Sequence, residues 1–358
     1  MDYIEDKTSL QADMLANRLQ KRFRHLKKWA QRTGSGAFRL YDRDIPEIPL
    51  VLDYYGDCAN PQEAALSGAL FKRPYEKDDG DEEKWLSAMK DAVCAALGIS
   101  LECVFLKQRQ KQRGASQYEK MAEERFTKIV SEGGLAFKVN LSDYLDTGLF
   151  PDRRLLRAIV RAEAAGKRFL NLFSYTGSFS VYAAAGGAVS TDSVDLSNTY
   201  LSWARENFSL NGLSSSLLQQ RDFFHGNPQS AVQFRCANKL IRADALDFLE
   251  KAAAVKRRWD IIVADPPSFS NSKKMAGDFD LRRDIAGLLG KCLNLLAPGG
   301  KIFLSVNTHR SVATAAEMEV QLAPYAKDVR VTDFGDKIVD EDFKGRKMPK
   351  AFLISIVD

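Results

Sequence analysis

After Gly166 the sequence alternates short apolar segments with helical ones. The apolar segments have the pattern of β-strands and lie at 168–173, 188–194, 239–242, 260–264, 301–306, 329–333 and 351–357. Helical patterns separate the first five of them, at 178–185, 198–211, 244–254 and 280–296. Alternation of this kind predicts an α/β fold, with a doubly wound, Rossmann-like sheet of seven strands and an antiparallel hairpin at one edge. A ligand is then expected at the carboxyl ends of the parallel strands.

The chain has 358 residues, enough for about two domains. We predict a basic helical arm at 1–45, a small α+β domain at 46–145 and the doubly wound domain at 146–358. The N-terminus is acidic, and the longest apolar runs are far shorter than the roughly 18 residues that span a bilayer. We therefore expect a soluble, cytoplasmic protein without a membrane association. The five cysteines form no CxxC pair, so neither a disulfide framework nor a metal site is predicted.

Positive charge is concentrated near the N-terminus. Between Arg18 and Arg43 nine Lys or Arg face one acid, so this segment carries +8 while the remaining chain sums to −3. Apolar residues from Leu15 to Ala30 recur every three or four positions, which predicts a helix with one packed stripe and a basic outer face. Such a face suits RNA phosphates, although a solvated helix surface would look the same. The candidate RNA-binding residues here are Arg18, Lys21, Arg22, Lys27 and Lys28.

A second basic stretch, 107–128, has seven Lys or Arg against three acids. Glutamines alternate with its cations, a pattern that favours hydrogen bonds to phosphates and base edges. A polar surface loop is the alternative interpretation. This stretch adds Arg109, Lys111 and Arg113 to the candidate RNA-binding residues, and we expect the 46–145 domain to face RNA.

Acidic residues and one glycine-bearing turn mark the predicted strand ends. The turn 171–178 has a single glycine and small hydroxyl residues, so backbone N–H groups can approach a ligand, but it lacks the three glycines typical of dinucleotide sites. Asp195 ends the second strand, where a carboxylate can accept two hydrogen bonds from a ribose diol. Asp244 and Ala245 follow the third strand and could recognise an adenine amino group, although Asp244 could also simply cap a helix.

The motif Asp265-Pro-Pro-Ser-Phe269 follows the fourth strand and completes the series. In this order the features resemble the class I S-adenosylmethionine-dependent methyltransferases. The chain is more narrowly similar to the guanine-N7 methyltransferase half of the bifunctional ribosomal RNA large-subunit methyltransferase K/L, over nearly its whole length. The similarity rests on Ala16-Asn-Arg-Leu-Gln-Lys21, Lys27-Lys-Trp-Ala30, Val51-Leu-Asp-Tyr54, Asn140-Leu-Ser-Asp-Tyr-Leu-Asp-Thr-Gly-Leu-Phe150, Asn171-Leu-Phe-Ser-Tyr-Thr-Gly177 and Asp265-Pro-Pro-Ser-Phe-Ser-Asn-Ser-Lys273.

The resemblance implies S-adenosylmethionine as the cofactor and methylation of a guanine N7 in 23S ribosomal RNA or a large-subunit precursor. The base would lie on a catalytic floor formed by Asp265, Pro266, Pro267 and Phe269, although Phe269 could also be a plain core residue. The segment 148–154 resembles an element that folds over the methionine end of the cofactor, although it could be a plain helix start. The implied cofactor-binding residues are Asp152, Arg154, Phe173, Tyr175, Thr176, Gly177, Ser178, Asp195, Leu196, Ser197, Asp244, Ala245 and Asp265.

Other chemistries use other residues. Cytosine-C5 methylation needs a cysteine thiolate, and none follows Asp265 or the fifth strand. Enzymes that methylate exocyclic amines usually contain the motif Asn-Pro-Pro-Tyr, from which Asp265 and Ser268 differ. Methylation of guanine N2 nevertheless remains the nearest alternative reaction. A non-catalytic RNA-binding assembly factor is disfavoured by the intact acidic residues.

Two departures from the family are visible. The partner half is absent, so we expect RNA to be held by this chain or by a separate RNA-binding protein. The stretch 214–238 is longer than the family predicts, and is interpreted as a substrate-specific loop or an insertion without a role.

Overall fold

The computed structural model describes residues 2–71, 78–108, 126–144, 146–226, 236–270, 279–306, 313–346 and 348–357. The chain divides into two compact units. The first comprises Met1–Pro151 with Glu341–Lys344, and the second comprises Asp152–Asp340 with Gly345–Asp358. The predicted arm, 1–45, therefore lies in the same unit as the predicted small domain. The functional division at 45 and 145 stays a prediction.

The first unit is an α+β structure around a four-stranded sheet with the order β1-β2-β3-β4. The first three strands are antiparallel neighbours, whereas β4 pairs parallel to β3. A separate antiparallel hairpin, β5-β6, follows. The elements are α1 (Asp2–Thr33), β1 (Ala37–Asp42), β2 (Leu50–Tyr55), β3 (Ala65–Leu70), α2 (Asp79–Leu97), β4 (Val104–Gln108), β5 (Thr127–Glu132) and β6 (Leu135–Asn140).

The apolar stripe of α1 is part of the core of this unit. Leu15, Leu19 and Leu26 are fully buried, and they belong to the same cluster as Tyr54 and Trp85. This burial removes apolar surface from water, which is the main favourable term for placing such a basic helix on the unit. The opposite face of α1 therefore stays in solvent.

The second unit contains an eight-stranded sheet with the order β15-β16-β14-β11-β7-β8-β10-β9. Six neighbouring strands are parallel, and β16 and β15 form the predicted antiparallel edge. The strands are β7 (Arg168–Leu172), β8 (Ser190–Asp195), β9 (Ser216–Gln219), β10 (Asn238–Arg242), β11 (Trp259–Ala264), β14 (Leu296–Ser305), β15 (Val329–Asp333) and β16 (Ala351–Ile356). The Rossmann-like fold class is confirmed.

The strand count is a correction: within the described residues the sheet has eight strands, and seven were predicted. The additional strand, β9, lies in the stretch that was interpreted as an insertion. It has only four residues, too few for a readable alternation, and its pairing with β10 stabilises it.

Helices cover both faces of this sheet. They are α3 (Arg154–Glu163), α4 (Ser178–Ala185), α5 (Asn198–Leu210), α6 (Gln220–His225), α7 (Ala245–Ala254), α8 (Leu281–Leu293) and α9 (Ala315–Leu322). A two-stranded ribbon, β12 (Phe269–Ser270) with β13 (Phe279–Asp280), precedes α8. Along β11, Ile262 and Ala264 belong to one core cluster, whereas Ile261 and Val263 belong to another. This alternation shows that the sheet is buried on both faces.

Candidate active site

The loop after β7 has a constrained backbone. Phe173, Tyr175 and Gly177 all have positive φ, at 56°, 50° and 73°. Asn207 on α5 donates a 2.9 Å hydrogen bond from Nδ2 to the carbonyl of Thr176, which fixes the loop against α5. At Gly177 a Cβ would lie 2.9 Å from the Cβ of Ala204, so glycine is required by contact as well as by φ. Positive φ at two non-glycine residues is strain of the kind found at ligand sites.

Asp195 is the last residue of β8, and the loop is attached to it. Its Oδ2 accepts a hydrogen bond from the Tyr175 N–H, and its Oδ1 accepts one from the Ser197 N–H, both at 2.9 Å. Burial raises the pKa of Asp195 to about 6, against the opposing effect of hydrogen bonds from the backbone N–H groups of Ser197, Tyr175 and Leu196. Since a carboxylate offers about four lone-pair positions, each oxygen can still accept a further bond from a hydroxyl.

Asp244 follows β10 and caps α7. Its Oδ1 accepts hydrogen bonds from the N–H groups of Leu246 and Asp247, at 2.9 and 3.1 Å. The helix-cap interpretation is therefore satisfied, and both bonds use the same oxygen. Ala245, the first residue of α7, is buried. The role of this pair in adenine recognition stays a prediction.

Asp265 follows β11 beside a buried arginine. Arg153 is only 4% exposed; its Nε lies 3.7 Å from Oδ2 of Asp265, and its NH1 donates a 3.0 Å hydrogen bond to Asp152. Burial raises the pKa of Asp265, an effect that Arg153 and the Ser305 hydroxyl oppose. Burial thus disfavours ionisation of this carboxyl group, while the charges of Arg153 and Arg157 favour it.

Sequence reasoning selected Asp152 and Arg154 but missed Arg153 and Ser305. Arg154 is also buried, yet it pairs with Asp340 at 2.7 Å. The chain enters α3 through a 3₁₀ turn, Pro151–Arg153, so the direction of each arginine depends on local geometry. The sequence has no signal that tells which of the two adjacent arginines faces Asp265. The role of Arg154 as a cofactor ligand stays a prediction.

The predicted floor residues differ in exposure. Pro266 is buried and Pro267 is half-buried, whereas Phe269 is 51% exposed. Phe269 lies on the ribbon that precedes α8, where it pairs with Asp280. A half-exposed aromatic ring after Asp265 is available for stacking on a base.

The remaining predicted cofactor residues lie at the same edge of the sheet. Thr176 is buried, Ser178 begins α4, and the hydroxyl of Ser197 caps α5 by accepting the Tyr200 N–H at 3.3 Å. Edge contact of the Tyr175 ring with Tyr200, at 4.5 Å between centroids, further fixes the loop. The strand ends thus bring together the β7 loop, Asp195, Asp244 and Asp265, as expected for a ligand site of a doubly wound sheet.

A family model described as S-adenosylmethionine-dependent methyltransferase matches residues 58–329. The chain belongs to this family. It is a methyltransferase, with S-adenosylmethionine as its methyl donor.

The methyltransferase is 42% identical to ribosomal RNA large subunit methyltransferase K of Neisseria meningitidis, over 95% of this chain and 86% of that protein. It is 43% identical to ribosomal RNA large subunit methyltransferase K/L of Stutzerimonas stutzeri, over 92% of this chain but only 40% of that protein. The chain thus spans less than half the length of that K/L relative.

Solved methyltransferases share the fold. One, complexed with S-adenosylhomocysteine, has a TM-score of 0.71 at 24% identity over 96% of this chain and 82% of that one. A second, from Streptococcus mutans, has a TM-score of 0.69 at 24% identity over 96% of this chain and 81% of that one. At this identity the likeness shows the architecture.

The residues of this methyltransferase fit the cofactor. Ser174, in the loop after β7, is buried, and its hydroxyl has no hydrogen-bond partner within the part of the chain that the structure describes. The same holds for Oδ1 of Asp152. Buried polar atoms without partners are costly, so both positions suit a ligand with polar groups. Together with the remaining lone pairs of Asp195, they match a ligand that carries a ribose and an amino-acid moiety.

The candidate RNA-binding residues fall into three groups. Arg18 forms a 2.8 Å ion pair with Asp44, and Arg22 donates to the carbonyl of Asp342. Lys21 and Lys28 are exposed, and Lys27 is half-buried. Arg109, Lys111 and Arg113 lie outside the described residues.

Within the described ranges, no helix has the length and apolar character needed to cross a membrane.

Proposed function

We propose that this methyltransferase methylates the N7 atom of a guanine in 23S ribosomal RNA or its large-subunit precursor. The observation that carries the proposal is its 42% identity to ribosomal RNA large subunit methyltransferase K of Neisseria meningitidis, across 95% of this chain and 86% of that protein. A match over so much of both chains supports a shared substrate class. The choice of N7 rests on the sequence resemblance and on the chemistry of the site.

The reaction needs orientation more than proton transfer. When bound, S-adenosylmethionine supplies a methyl group on a positively charged sulfur. A nucleophile that attacks the methyl carbon in line displaces this sulfur as the leaving group. The N7 atom of guanine already has a free lone pair, so no residue is assigned as a general base. Asp265 would accept a hydrogen bond from the base, Phe269 would stack on it, and Pro266 and Pro267 would fix the backbone between them. Holding the two reactants in line is then the main contribution of the protein, by direct transfer without a covalent intermediate.

The positions of the cysteines in the second unit argue against cytosine-C5 methylation, which needs a reactive thiolate beside the base. The second unit contains two cysteines, Cys236 and Cys292. Cys292 is fully buried, and burial raises its pKa to about 12. Cys236 precedes β10, at the opposite strand end from Asp244, and its thiol faces the carbonyl of Ser214 at 3.3 Å. Neither position suits attack on a base beside Asp265.

The proposed partner is therefore ribosomal RNA, in the cytoplasm. The K/L relatives extend well beyond the region that matches this chain. A separate RNA-binding protein could supply what that additional region provides, and we propose this as a second partner.

Mass spectrometry of digested ribosomal RNA, from cells with and without the gene, tests the proposal. We expect one 7-methylguanosine in the large subunit to disappear and to return with the wild-type gene. Complementation with Asp265→Ala should fail, whereas Glu83→Ala, a change at an exposed acid of α2, should restore 7-methylguanosine. Loss of an N2-methylguanosine or a 5-methylcytidine in place of 7-methylguanosine would contradict the assignment.

A further inference from the structure

The outer face of α1 carries a row of exposed cations. Lys21, Arg24, Lys28 and Arg32 follow one another at steps of three, four and four residues, so they share one side of the helix. With a rise of about 1.5 Å per residue, the row is about 16 Å long. We call these four residues the α1 row.

The α1 row differs from the cations beside it. Arg18 is paired with Asp44, and Arg22 with the carbonyl of Asp342. Arg39 on β1 is paired with Asp53 at 2.5 Å and with Asp42 at 3.0 Å. Among the described residues, no member of the α1 row has a hydrogen bond or ion pair through its side chain. Within the described ranges, the half-buried Arg18, Arg22 and Arg39 therefore have hydrogen-bonded partners, and the α1 row has none.

Nothing in α1 itself compensates the row. From Met14 to Thr33 the sequence has seven Lys or Arg and no Asp or Glu. Arg24, Lys28 and Arg32 are each one helical turn apart, a spacing at which like charges repel. The helix is held by its other face, through Leu15, Leu19 and Leu26, so stability does not require the row. An external polyanion would relieve this repulsion.

We infer that the α1 row binds the phosphate backbone of the RNA substrate; this inference rests on the proposed function. Three exposed amides on α1, Asn17, Gln20 and Gln31, can hydrogen-bond to phosphate and sugar oxygens. His25, exposed beside the row, instead pairs with Glu341 at 2.9 Å. The central apolar stripe of α1 is committed to the core, so it cannot insert into a lipid surface. Arg24 and Arg32 are thereby added to the RNA-binding residues, whereas Arg18 and Arg22 are assigned to holding α1 in place.

A charge-neutral variant of the full-length protein tests this inference. In the row variant, Lys21, Arg24, Lys28 and Arg32 are each changed to Gln. The matched control changes four exposed cations away from α1 to Gln, namely Lys84, Arg205, Lys327 and Arg330, so that net charge falls equally. Affinity for a 23S ribosomal RNA transcript is measured across a salt series, and S-adenosylhomocysteine affinity is measured by calorimetry.

We expect the row variant to lose at least about tenfold in RNA affinity. The slope of log affinity against log salt concentration should become shallower by about 2–3, because each phosphate contact on single-stranded RNA contributes roughly 0.7. Its S-adenosylhomocysteine affinity should equal that of the wild type. Lys21→Arg with Lys28→Arg should keep RNA affinity, which separates charge from folding. The inference is overturned if the row variant and the control bind RNA equally, or if the row variant loses only binding to anionic phospholipid vesicles. A wild-type protein that neither binds nor methylates the transcript would instead overturn the proposed function.

Discussion

The backbone N–H of Tyr175 donates a 2.9 Å hydrogen bond to Oδ2 of Asp195, which joins the loop after β7 to the end of β8. The same carboxylate accepts the Ser197 N–H at the start of α5. One side chain thus positions the two segments expected to surround the cofactor ribose.

Replacing Asp195 should therefore weaken cofactor binding in two ways. Asp195→Asn keeps the shape but places an N–H₂ group where an acceptor is needed, and Asp195→Ala removes both loop contacts. We expect calorimetry to show S-adenosylhomocysteine affinity lower by roughly tenfold for Asn and more for Ala, in line with the cost of about 1–3 kcal/mol for an unsatisfied polar group. Unchanged affinity in Asp195→Ala would show that the cofactor pocket is misassigned.

Cofactor affinity should also depend on pH through Asp195. Because burial raises the pKa of this carboxyl to about 6, the protonated form dominates below that pH and can no longer accept both ribose hydroxyls. We expect S-adenosylhomocysteine affinity to rise between pH 5 and 7, by up to about tenfold per pH unit for one proton. In Asp195→Asn this dependence should be lost, and a wild-type affinity that is flat over the same range would exclude the linkage.

The same raised pKa affects stability with the opposite sign. Between the unfolded value near 3.8 and about 6, the folded protein retains a proton on Asp195 that the unfolded chain has lost. The contribution of Asp195 to stability is therefore greatest below about pH 4 and falls as pH rises to 6. In denaturant unfolding, the difference in stability between Asp195→Asn and the wild type should shift in favour of the variant over this range. A constant difference would contradict the raised pKa.

Gly177 and Gly166 provide a matched pair, since their φ values are 73° and 72°. A Cβ at Gly177 would meet Ala204 at 2.9 Å, whereas a Cβ at Gly166 has no atom of a described residue within 4 Å. We expect Gly166→Ala to reduce the free energy of unfolding by about 1–2 kcal/mol through φ alone. Gly177→Ala should lower the free energy of unfolding by about a further 1–3 kcal/mol, because the new Cβ overpacks against Ala204. In calorimetry, only Gly177→Ala should lose cofactor affinity; equal affinity in both variants would show that the loop does not contact the cofactor.

Two substitutions at Asp244 separate its cap from its predicted adenine contact. Asn caps a helix as well as Asp does, so Asp244→Asn should unfold like the wild type, while Asp244→Ala should lose about 1 kcal/mol. If the carboxylate also recognises the adenine amino group, both variants should bind S-adenosylhomocysteine more weakly. Full affinity in Asp244→Asn would leave Asp244 as a helix cap alone.

Arg153 and Arg154 are neighbours with different acidic partners, Asp265 and Asp340. Arg153→Met and Arg154→Met should each destabilise the protein by about 3–5 kcal/mol, since each breaks a buried ion pair. Of the two variants, only Arg153→Met removes a cation that opposes the raised pKa of Asp265, and Arg153 has a larger effect there than Arg157. The pH profile of methyl transfer should therefore shift to higher pH in Arg153→Met and not in Arg154→Met. Identical profiles in the two variants would show that Arg153 does not tune Asp265.

The order of strands and helices in the second unit could be predicted from the sequence. Apolar periodicity is a local property, and the acidic residues Asp195 and Asp265 come directly after readable strands. The burial of Ile261, Ile262 and Val263 on both faces of the sheet agrees with their uninterrupted apolar run. The loop at Gly177 was also readable, because its glycine stands between a strand and a helix.

Only the tertiary structure decided which of several similar residues face each other. It added β9, whose four residues become a strand by pairing with β10. It placed Arg153 beside Asp265, and it separated the paired Arg18 from the unpaired α1 row. Periodicity fixes the face of an element on which a residue lies, because it depends on neighbours along the chain. Pairing depends on residues hundreds of positions away, as between Arg22 and Asp342, so only the folded chain can determine it.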